Sequence, residues 1–263
     1  MKLHFGRNIY GLGAIAFGII TLFWHNISAL GDLTHPEILT YIAGTVELIA
    51  GLAIQWKKTT KFGALTLIVV YFIFTLFLMP PIIEMPLTYF NWGNFFEQFS
   101  VVLGGVIVLA TTLQSHPVIA SKLEKVAYRS YGICVISYSL YQLFYLSYTA
   151  SLVPKWIPPN QMFWAVATSL AFALAAYAVI SGRSALLAVK LLTITFICFG
   201  LLIWLPASFF NPYQLRYWVS NAQNLAVAGS AWVFADFLSQ QNINTLRWSF
   251  GRIRLEQSGG LEQ

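Results

Sequence analysis

Few residues in this chain are equipped for chemistry, and those few stand in apolar surroundings. Glu47 lies inside the run AGTVELIAGL, and His25 follows Phe23-Trp24 toward the end of an earlier apolar run. Arg7 opens that earlier run, and Glu97-Gln98 lie in a later one. A charged side chain at the bilayer centre costs about 2.5–3.5 kcal/mol on insertion scales. Glu47 is therefore expected to be neutralised, either by a proton or by a partner in the interior of a helix bundle. Its available partners are His25, Arg7, Tyr10 and the Glu97/Gln98 pair, with His25 nearer in depth and Arg7 reaching inward from a helix end. Two readings stay open for Glu47. It handles protons or binds a ligand, with His25 donating to a quinone-like carbonyl, or it forms an interhelical hydrogen bond that only holds helices together. Trp24 belongs to the aromatic surroundings of this group, and ring-lined cavities with few polar groups suit apolar ligands. Glu97 is expected near the outer end of its helix, in reach of water. Gln142, Asn221 and Asn224 form a second polar set, able to bind or simply to glue helices. Asp236 is expected near a cytoplasmic helix end, paired with Arg247 or Arg252.

What is missing narrows the chemistry further. His25 is the one histidine expected inside the membrane, so two histidines cannot hold a haem within one chain. There is no HExxH, no GxxxxGK[ST] and no dinucleotide fingerprint. No metal set and no intrinsic cofactor are expected. Redox chemistry would need a diffusible quinone, a bound lipid-like molecule or a partner protein that carries the cofactor. Cys134 and Cys198 give no CxxC pair. Their different depths argue against a disulfide, and both read as small buried apolar side chains.

The elements that must position these groups follow from composition. Of 263 residues, 58% are hydrophobic, 16% aromatic and only 9% charged. Mean hydropathy is +0.68. A soluble domain carries roughly 25% charge, so a water-exposed surface cannot be built, and disordered, coiled-coil and nucleic-acid-binding classes fall away. Spans of about 20 apolar residues cross a bilayer. Eight are expected, over residues 9–30, 38–55, 62–79 (ended by Pro80-Pro81), 95–113, 130–153, 161–181, 184–205 (ended by Pro206) and 219–238. The run LIVVYFIFTLFLM (67–79) is apolar on every side, which excludes barrel strands. The fold class is an all-α membrane protein. No cleavable signal peptide is expected, and residues 258–263 read as a cloning scar.

Fifteen Lys+Arg stand against nine Asp+Glu, a net charge of +6. With eight spans, only Lys155 and Arg216 fall on one side and the other thirteen fall on the opposite side. That bias places both termini in the cytoplasm, in the inner membrane if the source is bacterial. Trp56, Trp92, Trp156, Trp164, Trp218 and Trp248 near span ends fit an interfacial belt. The turn over 153–164, with three prolines, is expected as an outer-face cap or a lid.

The halves are alike. Arg7-Asn8-Ile9-Tyr10-Gly11 matches Arg129-Ser130-Tyr131-Gly132 with one gap, and Leu22-Phe23-Trp24 matches Leu143-Phe144-Tyr145. Gln98, Gly104 and Ala110 match Gln223, Gly229 and Ala235. The expected organisation is two parallel-repeat four-helix bundles: residues 1–114, a cytoplasmic linker 115–129, residues 130–240, and a cytoplasmic tail 241–263. The second half lacks the acid, since Glu47 aligns near Phe172.

An Arg-led first helix with glycines, Phe23-Trp24-His25 near its outer end, and Gly44, Glu47 and Gly51 in the second helix resemble the DoxX-like family, best over residues 7–114. Its members are four-helix membrane units. Some belong to, or are named after, subunits of a thiosulfate:quinone oxidoreductase. Others are associated with membrane redox-stress complexes, and distant eukaryotic relatives act as cargo receptors or assembly chaperones. The resemblance implies a membrane component that binds a quinone-like or lipid-like ligand, with a redox partner. The alternative is a non-enzymatic adaptor or chaperone holding a client protein. A small-molecule transporter ranks third, because helices 1 and 5 lack the central Gly/Pro breaks of transporter helices. Reporter fusions should place Lys57 and Lys155 in opposite compartments; the same compartment for both would overturn the eight-span arrangement.

Overall fold

The computed structural model describes residues 5–27, 37–113 and 115–259, with the backbone alone over 242–259. Every regular element among the described residues is helical. The long helices are α1 (Phe5–Trp24), α2 (Glu37–Gln55), α3 (Thr60–Phe77), α5 (Tyr89–Thr112), α6 (Pro117–Phe144), α8 (Gln161–Ser181), α9 (Ala185–Phe199) and α11 (Leu215–Gly259). Short helices α4 (Met79–Glu84), α7 (Leu146–Leu152) and α10 (Leu205–Phe210) sit at the turns. Among the described residues six segments are long and apolar enough to cross a membrane: α1, α2, α3 with α4, α5, α8, and α9 through α10. The chain is therefore a multi-pass membrane protein by the length and composition of its helices. α6 and α11 are as long but more polar, with Lys122, Glu124, Lys125 and Arg129 in one and Ser220, Asn221, Gln223 and Asn224 in the other.

Glycine decides how these helices meet. On α1, Gly11 and Gly18 face α2, where Gly51 and Gly44 answer them in antiparallel register. A Cβ on Gly51 would lie 2.7 Å from the Gly11 carbonyl oxygen, and one on Gly18 would lie 2.7 Å from that of Gly44. The other side of α1 carries Gly6 and Gly13, which face α11. A Cβ on Gly13 would come within 2.7 Å of the Ala226 Cα, and one on Gly6 within 2.5 Å of the Val233 amide. From α11, Gly229 returns the contact against the Tyr10 backbone at 2.5 Å. Lipid offers no hydrophobic drive for helix association, so small residues that let backbones approach are the main source of tight packing. α5 packs on α3, α6 and α11, and runs parallel to α11, with Gly104 against Ser230. α8 bridges α6 and α9, and α9 packs on α11.

Helix ends follow local chemistry. Asn160 caps α8, its Oδ1 accepting the Phe163 amide at 2.8 Å. Gly182 ends α8 at φ 72, the left-handed conformation that suits glycine. Three turns share one device. Trp92, Trp164 and Trp218 each donate the indole N–H to a proline carbonyl six residues earlier, on Pro86, Pro158 and Pro212, at 2.8–3.0 Å. The Pro158 turn thus works as a cap for α8.

Several boundaries differ from expectation. α1 stops at Trp24 and His25 turns at φ 49, so the first helix is shorter than 9–30; residues 28–30 lie outside the described ones. α5 begins at Tyr89, because Pro86-Leu87-Thr88 forms the turn and the apolar run can start directly after it. Residues 117–129 are helical as the beginning of α6, and the fifth span breaks at Tyr145. Pro80 and Pro81 do stop α3 and open α4. Pro206 does not end its helix: a π-helical turn, Gly200–Trp204, precedes it, and the chain continues to Phe210. Proline crowds the carbonyl four residues back, and here that carbonyl, on Leu202, lies in the wider π turn. Both cysteines are free, but Cys198 is exposed, because its face of α9 points away from the core.

Gly13→Val should lower the melting temperature markedly, at a cost of about 3 kcal/mol or more, since the Ala226 backbone cannot move aside as a flexible side chain would. Leu174→Ala, at a site 70% exposed, should leave melting almost unchanged. Equal melting for the two variants in scanning calorimetry would contradict the glycine contact.

Candidate functional site

The glycine contacts of α1 and α2 also place the acid. Gly44, Glu47 and Gly51 fall at i, i+3 and i+7, so one face of α2 carries all three toward α1. Thr21 stands one turn beyond Gly18 on the facing helix. Glu47 is 1% exposed, and the Thr21 hydroxyl hydrogen-bonds its carboxyl. Glu47 Oε1 has no hydrogen-bond partner among the described residues. Next to it stands Tyr71 of α3, near enough to feel the Glu47 charge, and its buried hydroxyl is likewise without a partner. The Tyr71 ring meets Phe17 and Tyr10 edge-on, each at 6.4 Å. The Tyr10 hydroxyl is satisfied, donating to the Val101 carbonyl at 3.1 Å. An unsatisfied buried polar group costs about 1–3 kcal/mol, a cost that the hydroxyls of Tyr131, Tyr138 and Ser230 also carry; Glu47 is the one acid among these groups.

Both groups border a cavity of 410 Å³. Its other polar walls are Asn94, Glu97 and Gln98 of α5, and Ser220 and Gln223 of α11. Gln223 hydrogen-bonds the Glu97 carboxyl, a contact that follows from the parallel packing of α5 and α11. Phe17, Phe90, Tyr141 and Trp204 supply ring faces. Among the described residues no lysine, arginine or histidine lines this cavity, so the chemistry they supply is two carboxyls, three amides, hydroxyls and aromatic rings.

A second cavity of 440 Å³ adjoins it between α6, α8, α9 and α11. Gln142 and Asn224 line this one, together with Tyr138, Phe172 and Phe196. Gln142 Oε1 accepts the hydroxyls of Thr168 at 2.9 Å and Ser169 at 3.2 Å. Asn224 donates to the Phe196 carbonyl at 2.8 Å. Asn221 lines neither cavity.

Of the first group of expected residues, the fold brings together Glu47, Glu97 and Gln98. Glu97 sits more than two turns inside α5, not at its outer end, because that helix starts at Tyr89. His25 does not join them. It is exposed in the turn after α1, its ring 5.4 Å from Tyr41. Trp24, the last residue of α1, also lines neither cavity. Arg7 lies at the opposite end of α1 from Thr21, fourteen residues and about 21 Å away along the helix. There it donates to Asn8 Oδ1, the Gln55 carbonyl and Thr60. Asp236 Oδ2 accepts the Gly6 amide at 3.0 Å, while the side chains of Arg247 and Arg252 lie outside the described residues. No group of three or more His, Cys, Asp or Glu able to hold a metal occurs among the described residues.

Thr21, Tyr71, Asn94 and Gln223 were not singled out from the sequence. Tyr71 is the one hydroxyl-bearing ring in an otherwise hydrocarbon run, and Gln223 is the repeat partner of Gln98; both signals are faint without the fold. No family model, curated protein or solved structure matches the chain.

Glu47→Leu should melt at the same temperature as the unaltered protein or above it, because it removes an incompletely satisfied buried acid. If Glu47 were only helix glue, the same change would lower the melting temperature by the value of its hydrogen bond, about 1 kcal/mol. Differential scanning fluorimetry in one detergent separates the two.

Proposed function

We propose that this protein holds an apolar, quinone-like or lipid-like molecule between its helices, as a ligand-binding membrane component of an oxidoreductase. The observation that carries this reading is Glu47: a buried acid whose Oε1 has no partner among the described residues, at the wall of a ring-lined cavity. A cavity of 410 Å³ falls within the roughly 300–1,000 Å³ of small-molecule sites. Glu47 and the amides of Asn94, Gln98 and Gln223 are the groups that orient a carbonyl-bearing ring, which Phe17, Tyr71 and Tyr141 flank. In this reading Glu47 is the proton-handling group nearest the ligand. The oxidant or reductant arrives with the ligand or with a partner protein.

The same proposal takes the chain as eight spans in two DoxX-like units, α1, α2, α3 and α5 followed by α6, α8, α9 and α11, with both termini cytoplasmic. Support comes from how the units meet. The first helix of one unit packs on the last helix of the other in both directions, α1 on α11 and α6 on α5. The two last helices cross in parallel, pairing Glu97 with Gln223 and Gly104 with Ser230. These pairs differ by 126 residues, close to the offset between the halves. Lys155 and Arg216 fall in the turn before α8 and the first turn of α11, at the end away from Arg7.

The test is extraction of small molecules from protein purified in lipid nanodiscs, with mass spectrometry, and titration with a chain-less benzoquinone read by tryptophan fluorescence. A bound molecule and saturable quenching are expected. Glu47→Gln should weaken binding on the order of tenfold, the equivalent of one hydrogen bond of about 1.4 kcal/mol. No bound molecule, together with unchanged fluorescence and melting, would sink the proposal.

A further inference from the structure

We infer that the two cavities form one binding tract for a chain-bearing molecule, its polar head in the Glu47 chamber and its hydrocarbon chain in the chamber between α6, α8, α9 and α11. This rests on the ligand-binding reading above and specifies what the ligand carries.

The chambers are not separate. Glu97, Tyr141, Tyr148, Leu152 and Trp204 line both. Their chemistry differs sharply. The first chamber presents unspent polar groups, with Glu47 Oε1 and the Tyr71 hydroxyl lacking partners. The second contains polar residues too; its two amides bond within the wall, and the Tyr138 hydroxyl is its one buried group without a partner among the described residues. Gln142 Oε1 takes Thr168 and Ser169, and Asn224 gives its amide hydrogen to the Phe196 carbonyl. Beyond the shared boundary at Glu97, most of what faces the space is hydrocarbon and ring, with Phe172, Ile194, Phe196, Leu202, Ile203 and Val227 among it.

Two local features shape the second chamber for a chain. The π-helical turn Gly200–Trp204 sets Leu202, Ile203 and Trp204 along its wall, and such turns recur at functional sites. Phe172 stands in the second unit where Glu47 stands in the first, by the offset between the halves. It packs against Tyr138 at 5.9 Å and Phe196 at 5.6 Å. One chamber thus has an acid and the other a ring at corresponding positions, which gives the tract a polar end and an apolar end. An anionic head would meet two carboxyls and no lysine, arginine or histidine among the described lining residues. A neutral, hydrogen-bonding head on a single chain matches both ends.

The experiment uses the full chain in nanodiscs and a benzoquinone bearing a decyl chain tipped with a diazirine. After irradiation, peptide mapping should find the label on α8, α9 and α11, at the buried Phe172, Phe196 and Val227. An excess of the chain-less benzoquinone should suppress this labelling at least fivefold. Leu202→Phe and Thr195→Phe, which fill the second chamber, should each cut labelling there at least fivefold, with melting and chain-less quinone quenching unchanged. Label confined to lipid-facing positions or to α1–α3, while the chain-less ring still competes, overturns the tract and leaves the ligand-binding reading standing. No competition by the chain-less ring overturns both. If neither filling variant folds, the label map of the unaltered protein decides alone.

Discussion

The close approach of α1 to α2 on one side and to α11 on the other governs this molecule. It is a steric condition, met because α1 places glycine at 11 and 18 toward one neighbour and at 6 and 13 toward the other. In a bilayer the surrounding hydrocarbon is as apolar as any side chain, so dispersion between closely packed backbones replaces burial as the source of association. The register follows directly. Gly18 against Gly44 puts Thr21 beside Glu47, and Gly13 against Ala226 fixes α11, whose Gln223 then reaches Glu97. The polar site is a consequence of glycine spacing on a helix that contributes only Thr21 and Phe17 to its lining near the acid.

The interior is divided by chemistry as well as by shape. Buried polar groups are normally satisfied, and most here are: Tyr10, Thr75, Ser169 and Asn224 all have bonds. The exceptions include Glu47 Oε1 and Tyr71, which stand together at one cavity wall. A chain selected for packing alone would place Leu and Phe there, as it places Phe172 and Phe196 in the second half. The unspent acid is the physical ground of the ligand proposed for this cavity.

Particular residues show what sequence reasoning can reach. Glu47, Glu97 and Gln98 were singled out because an acid or amide within an apolar run is expensive, and all three line one cavity. His25 and Arg7 were singled out on the same ground and stand elsewhere. Their position depends on where α1 ends and on which end of the bundle each faces, and an apolar run records neither sharply. Trp24 precedes a left-handed turn, so the ring of His25 swings out toward Tyr41. The shared tie of Trp92, Trp164 and Trp218 was present as a Pro-x5-Trp spacing, but a spacing gives no sign of a hydrogen bond until the turn is built.

The residues by themselves determined an all-helical, multi-pass chain, because 58% hydrophobic and 9% charged content cannot clothe a soluble surface. They also determined that an acid in the AGTVELIAGL run must be neutralised. Tertiary structure decided what surrounds that acid: Thr21 as its hydrogen-bonding neighbour, with His25 and Arg7 elsewhere. It also decided that Glu97 shares the cavity, and that a second, apolar chamber opens beside it. Those outcomes depend on groups 26, 24 and 126 positions apart (Thr21 and Glu47, Glu47 and Tyr71, Glu97 and Gln223), and their meeting is set by how helices pack, to which the order of residues along a single helix gives no direct guide.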